Sequence, residues 1–185
     1  MATLFTHALV GAALGQAASP GLQKQPSFWA TTIVCSMLPD VDVIGFSFGI
    51  HYGDLWGHRG MTHSLLFAAV VGGLLAWVLG KTARERWWLA VFLFLVTASH
   101  GALDAMTNGG LGIAFFSPFD TTRYFFPWRP IAVSPIGADA FFSVRGLHVL
   151  WTEICWLWGP TLLIGVGLRG FGRLMNAEPA QETEI

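Results

Sequence analysis

Charge is the scarcest property of this chain. Asp, Glu, Lys and Arg make up 11% of its 185 residues, whereas a soluble domain carries about a quarter. So few charges cannot cover a water-facing surface, which excludes an ordinary soluble domain. A bias of sign is missing too: ten Lys and Arg stand against eleven Asp and Glu, for a net charge of −1. No basic field exists to attract nucleic acid, and none is expected as a partner. Cysteine is down to Cys35 and Cys155, with no C-x-x-C spacing. That excludes a disulfide framework and leaves two buried thiols as the expectation. The N-terminal stretch has no basic n-region and no small-residue cleavage site, so it is not read as a cleaved signal peptide. Internal repeats and low-complexity segments are absent.

What is present is apolar surface. Hydrophobic residues make up 54% of the chain, with a mean hydropathy of +0.56 and nine tryptophans. Tryptophan favours the headgroup level of a bilayer, where its ring is apolar and its N–H is wet. The class predicted is all-α, an integral membrane bundle of about five helices. Residues 4–18 and 28–38, the second stopped by Pro39, fall short of the roughly 20 residues a span needs and read as a helical hairpin. Residues 61–80, 87–106 and 147–168 read as three strong spans. The 107–146 connection carries four prolines and many aromatics and is expected to pack over a site. One domain, 1–175, is followed by a flexible polar tail at 176–185.

Lys81, Arg84 and Arg86 lie between two spans, and Arg169 and Arg173 follow the last. Short Lys/Arg-rich flanks stay in the cytoplasm. On that rule the 39–60 and 107–146 segments face outward, and a multi-pass protein of a bacterial inner membrane is expected.

The polar residues are concentrated. Between Met37 and Ser64 the chain sets down Asp40, Asp42, His51, Asp54, His58, Arg59 and His63. Carboxylates and imidazoles are the ligands of hard and borderline divalent metals. His100 and Asp104 are spaced i, i+4, one turn apart on one face of a helix. Asp40 and Asp42 follow a proline, where extended backbone would aim two side chains the same way. His58 and His63 straddle a helix start, and His7 stands alone in the first apolar stretch. Each alone has a bland reading as a cap, a turn or a satisfied core residue. Together they fall at one membrane face, where ionisable groups are expensive and functional.

The elements Pro39-Asp40-Val41-Asp42, His58-Arg59-Gly60-Met61-Thr62-His63-Ser64 and His100-Gly101-Ala102-Leu103-Asp104 resemble the membrane-bound metal-dependent hydrolases of the YdjM type. These are also called LexA-binding, inner-membrane-associated hydrolases, and are distantly similar to zinc-dependent phospholipase C. The resemblance covers about residues 1–165. It implies a phospholipase C-like metal site held by His7, Asp40 or Asp42, His63, His100 and Asp104; His58 stands beside them as a candidate ligand from its place in the same element. It implies one or two divalent ions, zinc first, with manganese or iron as the other choices. The last ligand pair of the soluble enzymes, a His and a Glu one turn apart, has only His148 and Glu153, five apart, to match it.

The reaction expected is hydrolysis of a phosphoester of a lipid or lipid-linked substrate at the outer face. The carboxylate of Asp40 or Asp42 that is not a ligand would act as general base or orient a ligating histidine. Arg59 is the nearest cation for a phosphate oxygen, or else an interface anchor. Trp56, Phe115, Phe116, Phe119 and Trp128 read as acyl-chain access or as an aromatic belt. The rival classes are a non-catalytic metal-binding membrane scaffold or regulator, and a transporter.

Overall fold

The computed structural model describes residues 1–175; the tail expected at 176–185 lies outside the described residues. The described residues are helical and contain no β-strand, only isolated bridges between Thr107 and Ile131 and between Ile113 and Tyr124. Helix α1 spans Leu4–Gly15, α2 Pro20–Gln23 and α3 Pro26–Met37. A 3₁₀ segment, Leu38–Phe48, continues α3. Then come α4 at Leu65–Leu79, α5 at Ala83–Ala105, the short α6 at Ala138–Phe141, α7 at Val144–Glu153 and α8 at Gly159–Met175. A π turn, Ile154–Trp158, joins α7 to α8.

Among the described residues three helical stretches are long and apolar enough to cross a bilayer: Pro26–Phe48, Ala83–Ala105 and Val144–Gly172. This corrects two expectations. The α-helix does end before Pro39, at Met37, but the helical stretch does not. A proline removes one N–H and crowds the carbonyl four residues back, and the chain absorbs it by tightening into 3₁₀ turns at Leu38. Conversely, the span expected at 61–80 is shorter, because Met61–His63 forms its own 3₁₀ turn and Ser64 starts α4 by accepting the Phe67 N–H.

Helix pairing rests on small residues and aromatics. Buried apolar area gains little between helices that lipid already surrounds, so close packing has to supply the attraction. At Gly72 of α4 an added Cβ would stand 2.8 Å from the Phe94 nitrogen and 2.9 Å from the Ala90 carbonyl oxygen, so glycine is what lets α4 lie against α5. Phe28 of α3 stacks on Phe92 of α5 at 5.7 Å, beside buried Cys35, Leu93 and Val96. Thr82 and Glu85 form a reciprocal capping box that starts α5. Outward side chains such as Trp77, Val78 and Leu163 are exposed and face where lipid would be.

The 107–146 connection packs as expected of it. Its backbone bonds back to the helices: Leu65 N–H to the Phe115 carbonyl at 2.9 Å, Phe126 N–H to Ala105 at 3.0 Å, Ala114 N–H to Arg59 at 3.1 Å. Its own Ile113 and Ile131 are fully buried. The helices alternate in direction, so the start of α1, the end of α3, the start of α4 and the end of α5 meet at one end of the bundle. His7, Asp40, His63, His100 and Asp104 lie there.

Candidate metal centre

The 3₁₀ turns after α3 decide where the two aspartates point. Three residues make a turn, so Asp40 and Asp42 project about a third of a turn apart rather than the same way, as extended backbone would have had them. Asp40 faces α5 and Asp42 faces the 58–63 loop. That loop is folded tightly: an added Cβ on Gly60 would meet the Leu55 carbonyl oxygen at 2.3 Å. Arg59 beside it adopts φ 65°, the left-handed region that a non-glycine residue enters only under constraint.

Four side chains converge. Asp40, His63, His100 and Asp104 each present one donor atom, all within 4.8 Å of one another, and all four residues are buried. His100 Nε2 lies 3.3 Å from Asp40 Oδ1, and His63 Nε2 lies 3.6 Å from that same oxygen and 3.9 Å from Asp104 Oδ2. None of these four atoms, nor the other oxygen of Asp40, has a hydrogen-bond partner.

The opposite edges of the rings are fixed. His100 Nδ1 lies 2.8 Å from the Ser36 carbonyl oxygen. A carbonyl only accepts, so the proton sits on Nδ1 and the Nε2 lone pair is free. His63 Nδ1 lies 3.1 Å from Asp42 Oδ2 and 3.1 Å from the Thr62 hydroxyl, and that hydroxyl donates to the same Asp42 oxygen at 2.6 Å. Here too Nε2 is the free edge. Asp42 further receives His58 Nδ1 at 2.7 Å and the Arg59 backbone N–H at 3.2 Å. Asp42 is therefore spent on orienting the loop, while Asp40 is open. Asp42, His58 and His63 form a second group of metal-ligand type, sharing His63 with the first.

Electrostatics favour a cation. Asp40, Asp42 and Asp104 are opposed at close range by the Arg59 guanidinium, whose Nε lies 3.3 Å from Asp104 Oδ2, and by the N-terminal ammonium of Met1, 3.9 Å from the same oxygen. With neutral histidines, as a bound cation would have them, that leaves one negative charge in excess. Each unpartnered buried polar atom costs about 1–3 kcal/mol, and more for a charged one. Five such atoms in one spot exceed what helix packing readily offsets, and one divalent ion would satisfy all of them. His63 carries the sign of that demand. Burial opposes its protonation, yet Asp40 and Asp42 outweigh burial and raise its pKa to about 9. For His58 burial prevails over the pull of Asp42, and its pKa is lowered. The residues fit a divalent ion.

The other expected residues are placed as follows. His7 is buried, its ring stacked on His100 and its Nε2 3.4 Å from Asp104 Oδ1. Arg59 is also buried: it donates to the carbonyls of Gly109 at 3.0 Å and Leu111 at 2.8 Å and to the Thr107 hydroxyl at 2.9 Å. Its guanidinium ties the long connection to Asp104. His148 is exposed, while Glu153 is buried and accepts from the backbone N–H and hydroxyl of Thr3 and from the Thr6 hydroxyl at 2.7 Å. These two do not form a third ion site. His51 and Asp54 pair at the exposed surface, 3.6 Å apart. Trp56, Phe116, Phe119 and Trp128 are exposed, as belt residues are. Ser36, Thr62 and Thr107 were not singled out in the sequence. Thr62, inside the His58–Ser64 element, had a signal in its place beside His63.

A bundle whose helices cross a bilayer and gather Asp and His donors at one end defines a class: multi-pass membrane proteins with a buried cluster able to hold a metal. Within that class the chain belongs to the YdjM inner membrane protein family, which matches residues 1–175. It is 38% identical over 171 residues to the inner membrane protein YbcI of Escherichia coli K12, an alignment covering 89% of this chain and 95% of that one. No solved structure matches it.

Proposed function

We propose that this protein is a membrane-bound metal-dependent hydrolase that cleaves a phosphoester of a lipid or lipid-linked substrate at the outer face of the inner membrane. The observation that carries the reading is the set of unpartnered donor atoms on Asp40, His63, His100 and Asp104, all within 4.8 Å. These four would hold one divalent ion, zinc by the mixture of imidazole and carboxylate, or manganese or iron. His7 would join them from α1. Such an ion supplies Lewis acidity toward a phosphoryl oxygen and a more acidic water.

The chain's own residues prepare the site. Ser36 and Asp42 hold the two imidazoles with Nε2 inward, as outer partners of metal ligands do. Arg59 balances Asp104 from the dry side and fixes the 107–111 backbone above it. A lipid substrate is supported by an apolar groove of 320 Å³ beside Thr3 and Val43, walled by Leu4, Phe5, Ile136 and Phe142. An acyl chain would lie in it.

The depth of the donor set favours one second reading, a metal-binding scaffold without turnover. Both are tested by loading the purified protein with zinc or manganese and assaying phosphate or phospho-headgroup release from mixed phospholipid micelles. Release that depends on the metal and disappears in Asp104→Asn supports the hydrolase. A thermal stability that depends on the metal, without release from any phospholipid, leaves the scaffold.

A further inference from the structure

We infer that the end of the bundle opposite the metal centre holds an anionic phospholipid in a built groove. From Arg84, at the start of α5, to Asp104, at its end, is about 30 Å along the helix. Near Arg84 a groove of 670 Å³ opens between the end of α1, the α4–α5 turn and α8. A hollow of 390 Å³ adjoins it, sharing Ala18 and Gly172 with it and adding Lys24 and Arg169.

Four cations from three segments rim this space: Lys24 after α2, Lys81 and Arg84 at the α4–α5 turn, and Arg169 on α8. All are exposed, and among the described residues none of the four makes an ion pair. The carboxylate nearest to hand, Glu85, is occupied with capping α5, accepting the backbone N–H of Lys81 at 2.8 Å and of Thr82 at 3.3 Å. The walls between the cations are apolar: Leu79, Trp88, Leu168 and Phe171. Trp88 and Phe171 remain exposed.

Two features distinguish this from ordinary positive flanks. Diffuse attraction to a charged leaflet needs cations but no cavity. A free phosphate needs cations but no apolar wall. A cavity that is basic at its rim and apolar along its walls, lying between membrane helices at the end of a span, matches a phospholipid with a phosphate headgroup and acyl chains. The groove therefore commits to an anionic lipid, in register with the ends of Ala83–Ala105 and Val144–Gly172.

The test uses the full chain in nanodiscs of phosphatidylcholine containing one-fifth phosphatidylglycerol, with retained lipid read by native mass spectrometry after detergent release. Wild type should retain phosphatidylglycerol over phosphatidylcholine by at least about tenfold relative to the bulk ratio. Lys24→Gln, Lys81→Gln, Arg84→Gln and Arg169→Gln combined should abolish the preference. Leu168→Trp, which keeps every charge but fills the groove, should abolish it as well. Thermal unfolding in the same discs confirms that both variants are folded. A wild type without preference overturns the inference, whatever the variants do. A preference that survives Leu168→Trp overturns it in favour of diffuse attraction. Displacement of the lipid by millimolar inorganic phosphate overturns it in favour of a phosphate site.

Discussion

The imidazole of His7 lies flat on that of His100, ring centroids 3.6 Å apart and planes within 12° of parallel. One ring comes from the first turn of α1 and the other from the last turns of α5, so the stack joins the two ends of the chain's first hundred residues. Face-to-face stacking at that distance suits neutral rings and would set two imidazolium charges against each other. Neutral rings are what a cation binds.

His63→Ala, His100→Ala and Asp104→Ala are each expected to lower bound metal more than the roughly 10–100-fold that outer partners cost. The fold should persist, because bilayer and helix packing hold it, although Asp104→Ala also takes the carboxylate from buried Arg59 and should lower stability as Arg59→Met does. Metal content of purified variants after reloading, by inductively coupled plasma mass spectrometry, measures this. Wild-type content in all three would remove the site.

Asp40 and Asp42 should separate. Asp40→Asn removes an open donor, whereas Asp42→Asn leaves the donors but loosens His58 and His63. The expected order of metal affinity is wild type, then Asp42→Asn about 10–100-fold weaker, then Asp40→Asn weaker still. Competition titration against a chelator ranks them; the reverse order would exchange the two roles.

Arg59→Met should lower stability by up to about 3–5 kcal/mol, because it breaks a buried ion pair and leaves Asp104 only the N-terminal ammonium as a counter-charge. Arg59→Lys should rescue little, since an ammonium cannot reach the carbonyls of Gly109 and Leu111 and the Thr107 hydroxyl together. Thermal unfolding in detergent, followed by tryptophan fluorescence, reads both. A mutant of wild-type stability would return Arg59 to the role of a substrate-facing cation.

Glu153→Ala leaves the Thr3 N–H and the Thr3 and Thr6 hydroxyls short of an acceptor. The expected cost is about 1–3 kcal/mol per group left unsatisfied. Glu153→Gln keeps one acceptor oxygen and should lose less. Differential scanning in the same detergent compares them. A drop in metal content equal to that of Asp104→Ala would make Glu153 a ligand after all.

Much of the site could be read from the sequence because its chemistry is local. The i, i+4 spacing of His100 and Asp104 on an apolar helix implies one face whatever surrounds it. The His58–Ser64 element likewise carries its own turn. What could not be read depends on contacts remote in sequence. Asp40 and Asp42 look equivalent until the 3₁₀ turns past Pro39 aim them apart. Arg59 reads as an exposed cation until residues 107–111 close over it. Glu153 finds its donors 147 and 150 residues away, at Thr6 and Thr3. The span at Pro26–Phe48 is hidden in the sequence because Pro39 reads as a terminator, whereas the helix changes type there.

The π turn at Ile154–Trp158 sets the phase of the whole last span. Five residues close one hydrogen-bonded turn there, instead of the usual four. Glu153 and Trp158 are five apart, and both reach α1, Glu153 through Thr3 and Thr6 and the Trp158 indole N–H through Thr6 at 2.8 Å. Ordinary α geometry would swing two such positions well away from each other. At the same residue count, α turns would set Glu153 and Trp158 about 140° apart around the axis and carry the indole away from Thr6. With one residue fewer, α turns would put the two positions four apart, on one face again. The wide turn is thus what lets the last span hold an extra residue without losing either of its contacts to α1.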